Sequence, residues 1–287
     1  SCLVGSEMCI RDRIIYLVIS AVFIGCTPIL SIDASTQSVY HFSDTDKNIS
    51  LLDISETFGT YDGSFVLYDN NLDSWKIYDL EEATKRIPPE STYKIYDALL
   101  GLESGIITPE HSSMTWNGDA FPFPSWEADQ DLNSAMQNSV NWYFQAIDSQ
   151  LGINRVQEFL NKIEYGNQTT SSNLDLYWSD FSLKISPLEQ VTLLKKFNTN
   201  EFHLNSQNVF SVKNAIKIAS TPNGNFYGKT GTGRVNGQDI NGWFIGYVET
   251  SDNSYYFATN IQSDSNATGK KAFEITSDIL KKLHIWN

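Results

Sequence analysis

Ser91 and Lys94 are the first pair in this sequence whose spacing could do chemistry (Pro88-Pro89-Glu90-Ser91-Thr92-Tyr93-Lys94). An apolar run with helical spacing, Ile95, Ala98, Leu99, Leu100 and Leu102, begins beside them. Three residues make almost one helical turn, so the hydroxyl and the amine lie on one face. In a first turn Ser91 would meet free backbone N–H groups and the positive end of the helix dipole, which favour a developing anion. A serine hydroxyl is a weak nucleophile until a base takes its proton. Lys94 can be that base only when burial or modification removes its charge. The same pattern also describes a capping serine followed by a solvated lysine, so S-x-x-K alone decides nothing.

Two further clusters change that balance. Ser139-Val140-Asn141 falls inside a predicted helix, and Tyr227-Gly228-Lys229-Thr230-Gly231-Thr232-Gly233 on a predicted strand. Singly, these are a polar helix turn and a Gly-rich basic hairpin. In order, S-x-x-K, S-x-N and K-T-G form the signature of serine acyl-transferases that react with penicillins. Ser91 would attack the strained amide carbonyl, with the backbone N–H groups of Ser91 and Thr232 as donors to the oxyanion. Lys229 would supply positive charge to the substrate carboxylate, helped by the Thr230 and Thr232 hydroxyls. The small Gly231 would let the ligand lie along the strand edge. The Ser139 hydroxyl can relay a proton to the leaving nitrogen.

The elements that must position these groups follow from periodicity. Gly63 to Asp69 reads as a strand, Asn70 to Asp73 as a turn and Trp75 to Tyr78 as the return strand. Residues 106–131, rich in Pro, Gly and Trp, read as a long irregular loop, the kind that builds sites. Helical spacing covers Leu132 to Leu151, Arg155 to Ile163, Pro187 to Phe197 and Ser211 to Ala219. Strands then follow at Asn225 to Gly231, Gly242 to Val248 and Tyr255 to Ile261, with turns at Gly233 to Gly237 and Asp252-Asn253. Lys271 to Leu283 closes as an amphipathic helix. This order implies an α/β (α+β) domain over residues 61–287, an antiparallel sheet flanked by helices.

With 287 residues, 41% of them hydrophobic, the chain can bury a full core. Its net charge of −14 argues against a nucleic-acid partner. All three cysteines (Cys2, Cys9, Cys26) precede the domain, which must therefore be stable without disulfides. The four histidines are scattered and match no metal-binding or Ser-His-Asp spacing, so no metal site is expected.

Residues 1–12 have no periodicity and resemble a translated sequencing-adapter tail, which we set aside from the fold. Residues 13–33 carry an uncharged apolar run, Ile14 to Ile32, preceded by Arg11 and Arg13. That length suits a transmembrane helix with the following chain outside. A secretory signal also fits, as does a lipoprotein signal, since Phe23-Ile24-Gly25-Cys26 loosely resembles a lipobox. A buried soluble helix is the structural alternative. Residues 34–60 read as a linker with the first secondary elements.

From about Asp62 to Leu283 the chain resembles the class D β-lactamases and, more closely, the extracellular sensor domain of BlaR/MecR-type β-lactam signal transducers. The stretches that carry the likeness are 63–69, Ser91-Thr92-Tyr93-Lys94-Ile95-Tyr96, 132–136, Ser139-Val140-Asn141-Trp142-Tyr143, Tyr177-Trp178, 182–186, Lys229-Thr230-Gly231-Thr232-Gly233 and 241–249. The resemblance implies the serine β-lactamase/DD-peptidase-like fold. It also implies that the lysine at position 94 takes up CO2 as a carbamate that serves as base, bordered by Trp178. No other cofactor is implied. The implied partners are β-lactam antibiotics, the membrane through residues 14–32 and a cytoplasmic protease part earlier in such a chain. The implied location is the cell membrane with the domain outside; a secreted or lipid-anchored form is the alternative.

Position 141 separates the two families. Class D enzymes typically carry a small apolar residue there, and the sensors carry an asparagine like Asn141. An amide can hydrogen-bond Lys94 and favour the free amine over the carbamate. The expected function is therefore a sensor acylated at Ser91, with a class D β-lactamase that hydrolyses the same acyl-serine as the alternative. A peptidoglycan transpeptidase shares the three clusters but not the Tyr177-Trp178 stretch.

Overall fold

The computed structural model describes residues 48–287. The expected tail (1–12), the apolar segment (13–33) and linker residues 34–47 lie outside the described residues. Among the described residues, no helix is long and apolar enough to cross a membrane.

The chain opens with β1 (Ile49–Leu51), α1 (Ser55–Phe58), β2 (Asp62–Asp69), β3 (Ser74–Tyr78) and α2 (Leu80–Thr84). A 3-10 turn, Glu90–Tyr93, leads into α3 (Lys94–Glu103). After the long loop come α4 (Leu132–Gln137), α5 (Asn141–Leu151), α6 (Ile153–Ile163), α7 (Pro187–Asn198) and α8 (Ser206–Ala215). The strands β4 (Lys217–Thr221), β5 (Gly224–Val235), β6 (Gln238–Thr250) and β7 (Ser254–Gln262) then precede α9 (Gly269–Lys282).

The strands form one sheet in the order β1-β3-β2-β7-β6-β5-β4. Every pair is antiparallel except β1 with β3. On one face Phe65, Leu67, Phe244 and Phe257 pack under α1 and α9, which contribute Phe58, Ile275 and Ile279. On the other face Val66, Tyr68, Ile245 and Tyr247 meet the large helical cluster. Both faces of β2 are covered, which is why Phe65, Val66, Leu67 and Tyr68 follow one another without polar alternation.

Three expectations are corrected. The predicted helix Leu132 to Leu151 is two helices, and Ser139-Val140-Asn141 sits at the break between them. Ser139 takes a left-handed backbone (φ 56°). Its N–H bonds the Met136 carbonyl at 3.3 Å, and the Val140 N–H bonds the Ala135 carbonyl at 2.9 Å. These two bonds end α4 as a Schellman cap, a position glycine usually fills. Residues 217–219, expected to end a helix, open β4. The helix stops at Ala215, and the Ile216 carbonyl accepts from the Gly228 N–H at 2.9 Å, so pairing with β5 overrides the helical spacing. The turn expected at 233–237 is confined to Asn236-Gly237, both at positive φ. This two-residue hairpin turn lets β5 run on to Val235.

Candidate active site

The Ser91 turn is held from three sides. Pro89 leads into it, and Glu90 adopts a positive φ of 52°. The Pro88 carbonyl accepts from Trp243 Nε1 at 2.9 Å and Asn241 Nδ2 at 3.1 Å, tying the turn to β6. The Glu90 N–H donates to the Trp178 carbonyl at 3.1 Å. Thr92 Oγ1 donates to the Pro89 carbonyl at 2.6 Å and accepts from Gln190 Nε2 of α7 at 2.9 Å. The buried Glu90 carboxyl accepts from Asn241 Nδ2 at 3.1 Å. Burial pushes its pKa up to about 8, because the charged form loses its water.

Lys94 opens α3 with its amine fully buried. Its Nζ lies 2.7 Å from Ser91 Oγ and donates to Asn141 Oδ1 at 2.6 Å. The Phe144 and Trp178 rings flank it, with centroids at 5.6 and 5.8 Å. Burial, then the like charge of Lys229, holds its pKa well below the usual lysine range. A neutral amine in contact with a serine hydroxyl is a base able to take its proton.

The break at Ser139 brings the second cluster to the third. The Lys229 amine donates to Ser139 Oγ, and to the Thr230 carbonyl at 2.9 Å. Lys229 is buried, which lowers its pKa to about 7. Trp126, from the long loop, donates through Nε1 to the Asn138 carbonyl at 2.9 Å and so braces the break. β4 pairs β5 only as far as Tyr227, so among the described residues the edge of β5 from Lys229 onward has no strand partner.

Gly231 sits on that edge against the nucleophile turn. A Cβ there would lie 3.1 Å from Glu90 Cβ, 3.2 Å from the Pro89 carbonyl and 3.3 Å from the Ser91 nitrogen. Thr230 and Thr232 lie on the other side of the strand, at the start of α9, where the Gly269 N–H donates to Thr232 Oγ1 at 2.8 Å.

The structure thus brings Ser91, Lys94, Ser139, Asn141, Trp178 and Lys229 together and lays Gly231 beside Ser91. Arg234, near the end of β5, is paired with Asp239 at 2.7 Å, and Lys271, in α9, with Glu274 at 3.3 Å. Sequence reasoning gave no role to Glu90, Asn241 and Trp243, which hold the nucleophile turn. The signals for them were a charged residue between Pro89 and Ser91 and the place of Asn241 and Trp243 in the stretch 241–249.

A buried serine–lysine pair on a helix, facing a lysine on a free sheet edge, defines the penicillin-binding class of acyl-serine proteins. The chain belongs to the penicillin binding protein transpeptidase domain family, which it matches over residues 59–281. Within it, the chain groups with the BlaR/MecR-type receptor domains. It is 45% identical over 272 residues to the regulatory protein BlaR1 of Bacillus licheniformis, covering 94% of this chain and 45% of that protein. It therefore spans about half the length of that curated relative. The C-terminal domain of the Bacillus licheniformis BlaR penicillin-receptor superposes with a TM-score of 0.81 at 46% identity, covering 84% of this chain and 98% of that one. A class D β-lactamase from Bacillus subtilis follows at 0.77 and 36%, covering 82% and 97%.

Proposed function

We propose that this is the sensor domain of a β-lactam receptor, acylated at Ser91 by the antibiotic and slow to release it. The observation that carries the reading is the fully buried Lys94 amine, held between Ser91 Oγ at 2.7 Å and Asn141 Oδ1 at 2.6 Å. The Ser91 O–H gives its proton to the Lys94 lone pair as Oγ bonds to the lactam carbonyl carbon. The N–H groups of Ser91 and Thr232 stabilise the oxyanion. When the lactam C–N bond breaks, Ser139 passes its proton to the leaving nitrogen and takes one from Lys229. With its pKa near 7, Lys229 is matched to that donation. Lys229 holds the antibiotic's carboxylate until then, while the Thr230 and Thr232 side chains, on the α9 side of the strand, do not face it. The balance leaves Lys94 as an ammonium and Lys229 neutral.

Hydrolysis of the ester needs a base again. A carbamate on Lys94 would be one, and the neutral buried amine fits its formation. Asn141 turns an acceptor oxygen toward that nitrogen, which supports the amine and opposes an anion at the same place. Residues 14–32 would anchor the domain outside the membrane, with a cytoplasmic protease part in the complete receptor; the apolar run and its flanking arginines support the anchor.

Intact mass of the whole chain mixed with a fluorescent penicillin in bicarbonate buffer tests the reading. We expect one adduct that persists beyond a cell generation, and none on Ser91→Ala. Turnover within seconds would mean a class D β-lactamase. Labelling of the alanine variant would refute the nucleophile.

A further inference from the structure

Beneath Lys94 lies a second group of buried charges that acylation as described does not use. Asp97 follows Lys94 by one turn of α3, and Asp148 follows Asn141 by two turns of α5, so each returns to the face its partner residue occupies. The helices α3 and α5 pack side by side. Both aspartates are fully buried. The two carboxyls lie close enough to act on each other's ionisation, and a hydrogen bond between them requires a proton on one. Tyr177 OH donates to Asp148 Oδ1 at 3.3 Å. Among the described residues neither Asp97 oxygen nor Asp148 Oδ2 has a hydrogen-bond donor.

We propose that Asp97 and Asp148 are positioning residues, a proton-sharing acid pair that supplies one buried negative charge to Lys94. The pair favours Lys94 as an ammonium after acylation and disfavours its carbamate. This deepens the sensor reading and rests on it. Two buried carboxyls side by side cannot both ionise, and the Lys94 charge favours ionisation of one, so the pair would hold one proton and one charge. Burial raises both, and the Lys94 charge favours ionisation of Asp97. The other titratable groups facing the pair are Tyr93, Tyr143, Tyr177 and Asp175, none of which carries a compensating positive charge. The ammonium formed when Lys94 takes the Ser91 proton is then neutralised in place. A carbamate anion would face a like charge instead. Both effects withhold the base that deacylation requires.

The test counts Lys94 carbamate by 13C NMR in the whole chain under labelled bicarbonate, with no antibiotic present. The variants are Asp97→Asn, Asp148→Asn and the double replacement. In each single variant the new amide donates to the remaining carboxylate, so one negative charge stays and carbamate remains as low as in the unaltered chain. The double variant loses the charge, and its carbamate rises at least about tenfold, the size of a one-unit pKa effect from a neighbouring charge. Its acyl-ester lifetime shortens in parallel. Equal carbamate in all four proteins overturns the proposal. Should the double variant not fold, 13C NMR of labelled aspartate in the unaltered chain decides. A pair holding one proton at neutral pH supports the acid pair, and two ordinary carboxylates refute it. Absence of any penicillin adduct would reject the sensor reading, while the carbamate count would still judge the acid pair.

Discussion

Replacing Glu90 with glutamine stabilises the protein at neutral pH, by an amount set by where the carboxyl is buried. An ordinary glutamate near 4.5 is ionised in the unfolded chain, whereas in the fold burial moves it to about 8. Between those values the folded chain holds a proton that the unfolded chain has released. The contribution of this group is fully present below pH 4.5 and is lost as pH rises through 8. At about 1.4 kcal/mol per pH unit, the interval from 4.5 to 7 costs about 3 kcal/mol at pH 7. Glutamine keeps the acceptor for Asn241 Nδ2, bonded at 3.1 Å, and needs no proton. Urea unfolding across this pH range should show Glu90→Gln equal to the unaltered chain at the acid end and about 3 kcal/mol more stable at pH 7. Identical pH slopes for the two proteins would refute the reasoning, because they would mean that Glu90 is ionised where it lies.

Two other changes act on the chemistry. Asn141→Val removes the acceptor that meets Lys94 Nζ at 2.6 Å, and the acyl-ester lifetime should fall at least about tenfold in bicarbonate, read by intact mass. An unchanged lifetime would free Asn141 from the role given to it. Gly231→Ala puts a methyl 3.1 to 3.3 Å from Glu90 Cβ, the Pro89 carbonyl and the Ser91 nitrogen. Displacing the nucleophile turn should slow acylation roughly ten- to a hundredfold, measured with a fluorescent penicillin; a rate equal to the unaltered chain's would show that the turn gives way freely.

The strands around the site were legible because β2, β6 and β7 are apolar runs bounded by turn residues. The helices on the sheet were legible from their apolar period. The break at Ser139 was not. Leu132, Ala135, Met136, Val140, Tyr143 and Phe144 keep helical spacing straight through it. A serine in the left-handed cap gives no glycine signal, and the Trp126 indole that braces the break comes from the irregular loop before α4. β4 was lost for a related reason, since its pairing with β5 is a tertiary fact that local spacing does not hold. The Asp97–Asp148 pair was invisible because each aspartate alone looks like one polar position on an amphipathic helix. Only packing α3 on α5 makes them one group.

The two lysines of the site fix how the acyl-ester should respond to pH. Lys94 and Lys229 are both buried, and Lys229 helps to depress the pKa of Lys94, so charging both at once is costly. On the proposed mechanism acylation moves the charge from Lys229, bonded to Ser139, to Lys94, bonded to Asn141. Afterwards the group beside the ester is an ammonium whose N–H bonds meet an acceptor-only oxygen of Asn141, so it has no lone pair to offer a water. On the proposed mechanism the ester persists because the base is charged, and raising the pH removes that protection. Ester loss should accelerate as pH climbs through the Lys94 pKa, about tenfold per unit until the amine is neutral. Lifetimes of the preformed adduct, transferred to buffers of rising pH without bicarbonate, measure this directly. A lifetime independent of pH up to the ordinary lysine range would mean that water is excluded from the ester by geometry alone, and that the charge on Lys94 plays no part.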